Sequence, residues 1–503
     1  MHQCPPRLHS RTCAHRESRV VHRRPWCTPP ETSKLFKMLY QLGMAVAAAV
    51  AVLQRAWTVS TGVLVGLLPV HVLMVVSLGA GVAMLWWVCR PRNVYLVDYG
   101  CFLGEPRYRI PFATALEHAR LMTYLIEEES TNFMVRLHER SGIGEETSVP
   151  DSYRYIPPER SIEASREEAE LVIFSAVDKV FARTTLNPAD IDTVIVTCSF
   201  TTLTPVFADV VVNRYKLRSD VQSVNLSGMG CSGALICIGL AKKLLQVAPP
   251  GKHVLIVATE ILSSMLYDGT KREMLVPNVL FRMGAAAMIM SNSPERARFR
   301  LGPIVRTLTA AQDRDYRCAF QEEDDKGITG INLSKDLPVV AANALKSHIV
   351  AFGPAVLPVS ELLQVAFSFL KHKLLSGRAE ERYYRPAFNK VFQHFCIHPG
   401  GRRVLNEVQR GLGLSDRDME ASHMTLHRFG NMASSSLLYE LAYIEAKGRM
   451  TKGDRVCMIS FSPGIDCSSV VWECIKPAAN PDGPWAGCIH LYPVQLPQVV
   501  KRT

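Results

Sequence analysis

The stretch NLSGMGCSGALICIGLAKKLL, Asn225 to Leu245, places Cys231 between a glycine-rich approach and an apolar segment of helical character. Gly228 and Gly230 permit a tight backbone before a helix start, and Ser232 and Gly233 keep the first turn small. Unpaired N–H groups and the positive end of a helix dipole stabilise a thiolate, which predicts a lowered thiol pKa and a nucleophilic sulfur. The plain alternative is a small buried hydrophobe. A nucleophilic cysteine needs a basic partner in space rather than in sequence. HFCIHPGG supplies His394 and His398, the latter at the end of an apolar run where the chain turns through Pro399, Gly400 and Gly401. Ligands of open α/β sheets collect at such strand ends, so His398 has the position of an active-site base and His394 that of a packed strand residue. MTLHRFGNMASSS adds His427 and Asn431 just before a Ser-rich helix start, where an asparagine also serves as a turn or N-cap residue. A thiolate at a helix start, a histidine at a strand end and an amide at another helix entrance make a catalytic constellation, but they also make a peptidase triad; residue types alone do not choose.

These side chains need elements to hold them. DTVIVTCSF (Asp192 to Phe200) and KHVLIVATEIL (Lys252 to Leu262) are short β-branched runs typical of strands buried on both faces. SREEAELVIFSAVDKVFART (Ser165 to Thr184) has helical apolar spacing behind an acidic first turn. A similar order returns toward the C-terminus: helix Ser360 to Leu375, strand Lys390 to His398, helix Gly401 to Leu412, helix Ser434 to Lys447 and strand Asp454 to Gly464. Two α/β halves of like plan on a parallel or mixed sheet are implied, without a residue-level repeat. RLHERSGIGEETSVP (Arg136 to Pro150) reads as a loop, and the chain after RPRNVYLVDYGC as irregular.

The 503 residues carry a net charge of +11, but lysine and arginine are scattered through the globular part. No basic stripe with interleaved aromatics points to nucleic acid, and an anionic cofactor or an acidic lipid surface suits the charge better. Fourteen cysteines without a CxxC pair or zinc-ligand spacing predict free thiols in a reducing compartment and no metal site. Residues 1–37 are basic and lack apolar periodicity, as a disordered leader does. Met38 to Leu53 and Thr61 to Val88 are uncharged and read as a transmembrane hairpin across 38–89. Eight basic residues precede the first run, Arg90 and Arg92 follow the second, and only Arg55 lies between, so both flanks should be cytosolic.

Four segments carry a resemblance: NLSGMGCSGALICIGLAKKLL, VLFRMGAAAMIMSN, FQHFCIHPGGRRVL and MTLHRFGNMASSSLLYELAYIEAKGRMTKGDRV. Together they resemble, from Tyr95 to Lys476, the plant 3-ketoacyl-CoA synthases of very-long-chain fatty acid elongation, within the thiolase superfamily. The resemblance implies a thiolase-like, five-layered α/β fold, with an N-terminal half at 90–300, a C-terminal half at 301–476 and a tail at 477–503. It implies acyl-CoA and malonyl-CoA as substrates, no permanently bound cofactor, and a homodimer in the endoplasmic reticulum membrane with its catalytic part facing the cytosol. Its partners would be a 3-ketoacyl-CoA reductase, a 3-hydroxyacyl-CoA dehydratase and an enoyl-CoA reductase. Cys231 matches the family nucleophile, and His398 and Asn431 match the pair that drives malonyl decarboxylation. His394, His427 and Gly464 would support them, the Gly464 amide joining the Cys231 amide in an oxyanion hole. Two positions depart from the pattern. Leu308 stands where the family commonly has histidine, and Pro463 interrupts its Gly-Ser-Gly turn, so a weakly catalytic subunit of the elongation complex is the alternative.

Overall fold

The structure, a computed structural model, describes residues 67–89, 92–122, 127–374, 384–478 and 483–496. The basic leader, the first apolar run and the start of the second lie outside these residues. The chain divides into two compact units, Met1–Arg90 and Pro91–Thr503. In the first, Leu67–Cys89 forms one uncharged helix, α1, of 23 residues. Leu73, Val75, Val76, Leu78, Val82 and Met84 on it are exposed. The run carries no Asp, Glu, Lys or Arg, and it stays helical through Pro69, Gly79 and Gly81.

The second unit begins with β1 (Tyr95–Cys101), α2 (Phe112–Leu121), α3 (Glu128–Ser141) and α4 (Ile162–Thr184). It continues through β2 (Thr193–Thr197), α5 (Phe207–Tyr215), β3 (Gln222–Leu226), α6 (Gly233–Val247), β4 (His253–Glu260), α7 (Arg272–Leu280) and β5 (Gly284–Ser291). Then come β6 (Phe299–Leu308), the short α8 (Asp313–Tyr316), the hairpin β7 (Ala319–Glu323) and β8 (Thr329–Leu333), α9 (Leu337–Val356) and α10 (Val359–Leu374). The chain closes with β9 (His394–Ile397), α11 (Arg402–Leu412), α12 (Asp416–Phe429), α13 (Ser436–Ala446), β10 (Arg455–Ser462) and β11 (Asp466–Cys474).

Nine strands form one mixed sheet in the order β3-β2-β4-β5-β1-β6-β11-β10-β9. The order is nearly a palindrome about the β1–β6 junction. On one side β4 runs parallel to β2 and antiparallel to β5; on the other β10 runs parallel to β9 and antiparallel to β11. Helix α6 enters β4 as α13 enters β10. The two halves of like plan are therefore present.

Strand alternation assigns the layers. Val254 and Ile256 of β4, with Val456 and Met458 of β10, share one core with Leu235 and Ile238 of α6 and Leu437 and Leu441 of α13. Leu255 and Val257 face Val172, Ile173 and Ala176 of α4 instead. Cys457 and Ile459 face Leu345 of α9 and Leu405 of α11. Helix, half-sheet, helix pair, half-sheet, helix is a five-layered sequence. The apolar stretches Gly230–Val247 and Leu337–Val356 have the length and hydropathy of membrane spans, but each buries one face in these cores.

Local expectations mostly hold, with instructive exceptions. Arg136 to Ser141 belong to α3 rather than to a loop: Gly142, in the left-handed region at φ +83°, stops that helix and the loop starts there. The segment after β1 contains α2. Strand β5 was not foreseen because GAAAMIMS is alanine-rich; all of it is buried between β4 and β1, where small side chains fit. Ten described cysteines carry free thiols.

Candidate active site

Cys231, His398 and Asn431 line one apolar cavity of about 80 Å³. Cys231 sits in a 3-10 turn, Gly230–Ser232, that feeds α6. Asn431 lies two residues before a second 3-10 turn, Ala433–Ser435, that feeds α13. Cys231 and Asn431 thus come from equivalent helix entrances of the two halves, and His398 follows β9, whose end opens beside them.

The Cys231 turn is held from both halves. The Gly230 N–H donates to the Ser199 hydroxyl at 2.7 Å, and the Ser460 hydroxyl donates to the Cys231 carbonyl at 2.9 Å. Gly230 has φ +59°, and a Cβ there would fall 2.3 Å from Cδ of Pro463. Glycine is required on both counts. Pro463 is consequently packed on the Cys231 turn, and with Ser462 it lines the cavity.

Asn431 is oriented as firmly. Its Oδ1 accepts from the Ala433 N–H at 2.9 Å, and its backbone bonds Leu280 and Arg282 on the neighbouring segment. With Oδ1 engaged, the side-chain NH2 is the group left to donate. Arg282 anchors that neighbouring segment from within: its guanidinium donates to Thr147 Oγ1 and to the carbonyls of Val279 and Phe281. His398 is 3 % exposed, and neither ring nitrogen meets a protein partner among the described residues. An unpartnered imidazole facing a cavity is available to a substrate.

The electrostatics overturn one expectation. Burial, reinforced by the Glu260 carboxylate, pushes the Cys231 thiol up to about 12 instead of down. Although the residue as a whole is half-buried, its sulfur environment is dry, and desolvation outweighs the helix start. Burial lowers His398 to about 3. Near neutral pH the site therefore holds a neutral thiol and a neutral imidazole.

Glu260 was missed by sequence reasoning. It is 1 % exposed, lines the same cavity, and accepts from the backbone N–H groups of Ser199 and Phe200 at 3.0 and 2.8 Å and from Cys198 Sγ at 3.2 Å. Burial raises its carboxyl to about 7. The signal was present: it is the one charge within the run from Val254 to Leu262.

The supporting residues scatter. His394 bonds Asp454 Oδ2 at 3.0 Å at the opposite end of β9. His427 lines a separate cavity with Glu145 and Tyr492. Neither reaches the Cys231 cavity. Gly464, at φ +73°, occupies the β10–β11 turn, but its neighbours Ser462, Pro463 and Ile465 supply the lining. Leu308 is exposed on β6 opposite Asp466, outside the cavity.

A dry cavity with a cysteine, an imidazole and an amide at the meeting of two related half-sheets suits the chemistry of a thiolase-like condensing enzyme. Comparison with solved structures agrees on the fold. A fungal type III polyketide synthase, ORAS, superposes with a TM-score of 0.58 at 20 % identity, covering 76 % of this chain and 99 % of that one. A type III pentaketide synthase from Neurospora crassa gives 0.57 at 19 % identity, with 76 % and 99 % covered. Residues 86–374 match the family described as FAE1/Type III polyketide synthase-like protein, and residues 374–476 match the C-terminal domain of chalcone and stilbene synthases. The chain is 49 % identical to 3-ketoacyl-CoA synthase 6 of Arabidopsis thaliana over 84 % of each protein. It is 47 % identical to 3-ketoacyl-CoA synthase 5 of the same plant, over 86 % of this chain and 88 % of that one. It belongs to the 3-ketoacyl-CoA synthase family.

Proposed function

We propose that the chain condenses malonyl-CoA with a long-chain acyl-CoA to give a 3-ketoacyl-CoA and CO2, the first step of very-long-chain fatty acid elongation. The observation that carries this reading is the convergence of Cys231, His398 and Asn431 on one apolar cavity. Cys231 attacks the acyl-CoA carbonyl; the S–C bond forms, the CoA sulfur leaves, and the thiol proton passes by way of His398 to the departing CoA. Malonyl-CoA then binds with its thioester carbonyl against the imidazole and the Asn431 amide. The C–CO2 bond breaks, and its electron pair enters an enolate whose oxygen these two donors hold in a dry site. The enolate carbon attacks the acyl carbonyl, the C–S bond to Cys231 breaks, and one proton from solvent restores the thiol. The backbone amide of Cys231, which lines the cavity, holds the tetrahedral oxygen during acyl transfer; Gly464 does not line it. No bound cofactor enters these steps.

The finer attributes follow from family membership and the uncharged N-terminal runs: an endoplasmic reticulum location through the membrane hairpin, a cytosolic catalytic unit, a homodimer, and association with the reductases and dehydratase of elongation. The exposed apolar side chains of α1 support the membrane part. The alternative of a weakly catalytic subunit has one structural point in its favour, Pro463 against Gly230; Leu308 lies outside the cavity and gives none. Microsomes from yeast expressing the chain should elongate a panel of saturated and monounsaturated acyl-CoAs with labelled malonyl-CoA, whereas Cys231→Ala should not. Membrane-bound, folded protein without products would favour the subunit reading.

A further inference from the structure

We propose that α10 is an in-plane membrane contact, through which the globular unit rests on an anionic lipid surface. Val359, Leu363, Phe367 and Leu370 recur at spacings that share one helix face, and they are 70 %, 64 %, 70 % and 52 % exposed. Val350 of the preceding helix is exposed as well. The stripe cannot roll inward, because the opposite face is fastened. Glu361, 3 % exposed, accepts from the Tyr384 hydroxyl at 2.7 Å, Lys390 at 2.9 Å and the Ala387 N–H at 3.2 Å, while Ser368 Oγ accepts from the Tyr384 N–H.

Charge selects the occupant. The only carboxylate of the helix is the inward-facing Glu361, and the sequence leaves the stripe through Lys371, His372 and Lys373. Apolar side chains ending in a basic run match an acyl boundary beneath anionic headgroups. A second copy docked twofold on the same face would bring like charges together. Sixteen residues, about 24 Å of helix, fall short of the hydrocarbon thickness of about 30 Å, so the helix lies on a bilayer rather than crossing it.

The inference shares its lipid with the proposed hairpin anchor, and one experiment separates them. The full chain carries a benzoyl-phenylalanine crosslinker at Leu363 or Phe367, with Val247 as the exposed control, in yeast microsomes containing phosphatidylserine. Phospholipid adducts at 363 and 367 but not at 247 are expected, and they should fall at least several-fold at 363 in Phe367→Glu. Adducts to another protein or a second copy, no adduct, or equal labelling at Val247 would overturn the proposal. Alkaline carbonate extraction of the same membranes reports on the anchor: extracted protein bearing the lipid adducts would refute the hairpin alone, and retained protein without them would refute the α10 contact alone.

Discussion

Cys231 keeps its proton near neutral pH, so its nucleophilicity depends on what surrounds it. After desolvation, the Glu260 carboxylate is the next cause that raises the thiol. Replacing that charge in Glu260→Gln should lower the thiol pKa and raise the rate of iodoacetamide labelling at about pH 8 several-fold. An unchanged rate would show that Glu260 does not act on the sulfur. Asn431 has a separate task. Asn431→Ala removes the NH2 donor but leaves Cys231 intact, so condensation should fall ~10²–10³-fold, the cost of one oxyanion donor. Acyl transfer to Cys231 should survive. Loss of both steps together would assign Asn431 to the architecture of the site instead.

Among the elements, the Cys231 turn depends on close approach between the halves. Gly230→Ala would combine a left-handed backbone at φ +59° with a Cβ 2.3 Å from Pro463. We expect a loss of about 2–4 kcal/mol, read by thermal unfolding, together with lost Cys231 labelling. Pro463→Ala should keep the fold and recover part of the stability in the double variant; strict additivity would show that the two residues do not meet. The sequence displayed much of this region. The apolar run around Val194 and the glycines before Cys231 locate a strand and a strained turn, because burial and backbone permissiveness are written in residue type. Packing partners are not: nothing near Gly230 in the chain announces Pro463, more than two hundred residues later. The same gap explains the thiol, whose pKa is set by desolvation and by Glu260 across the fold rather than by its own helix start. His394 and His427 had suitable types and spacing, but tertiary geometry sends them elsewhere.

The unit from Pro91 to Thr503 is organised by its near-palindromic sheet, which brings two equivalent helix entrances to one cavity. That dry interior also sets the response to pH. His138, His253, His348, His398, His423 and His427 are all lowered by burial, so the unfolded chain gains more protons from them as pH falls below about 6.5, and stability is lost. Glu168, Glu260, Glu440 and Glu445 are raised, so their contribution is complete at low pH and is lost as pH rises through their folded values, about 7 for the first two. The six histidines outnumber the four carboxyls, which predicts a Tm maximum near about pH 7 and a decline on either side. A Tm that climbs steadily from about pH 7 to 5 would contradict this balance.

The central claim, that Cys231 carries the growing chain between two substrates, has a direct measurement. Full-length protein in detergent micelles is incubated with a saturated long-chain acyl-CoA and no malonyl-CoA, digested, and analysed by mass spectrometry. The account predicts an acyl thioester on the peptide containing Cys231, discharged when malonyl-CoA is added. Acylation of a different cysteine, or elongation that proceeds with no acyl group ever found on Cys231, would contradict it.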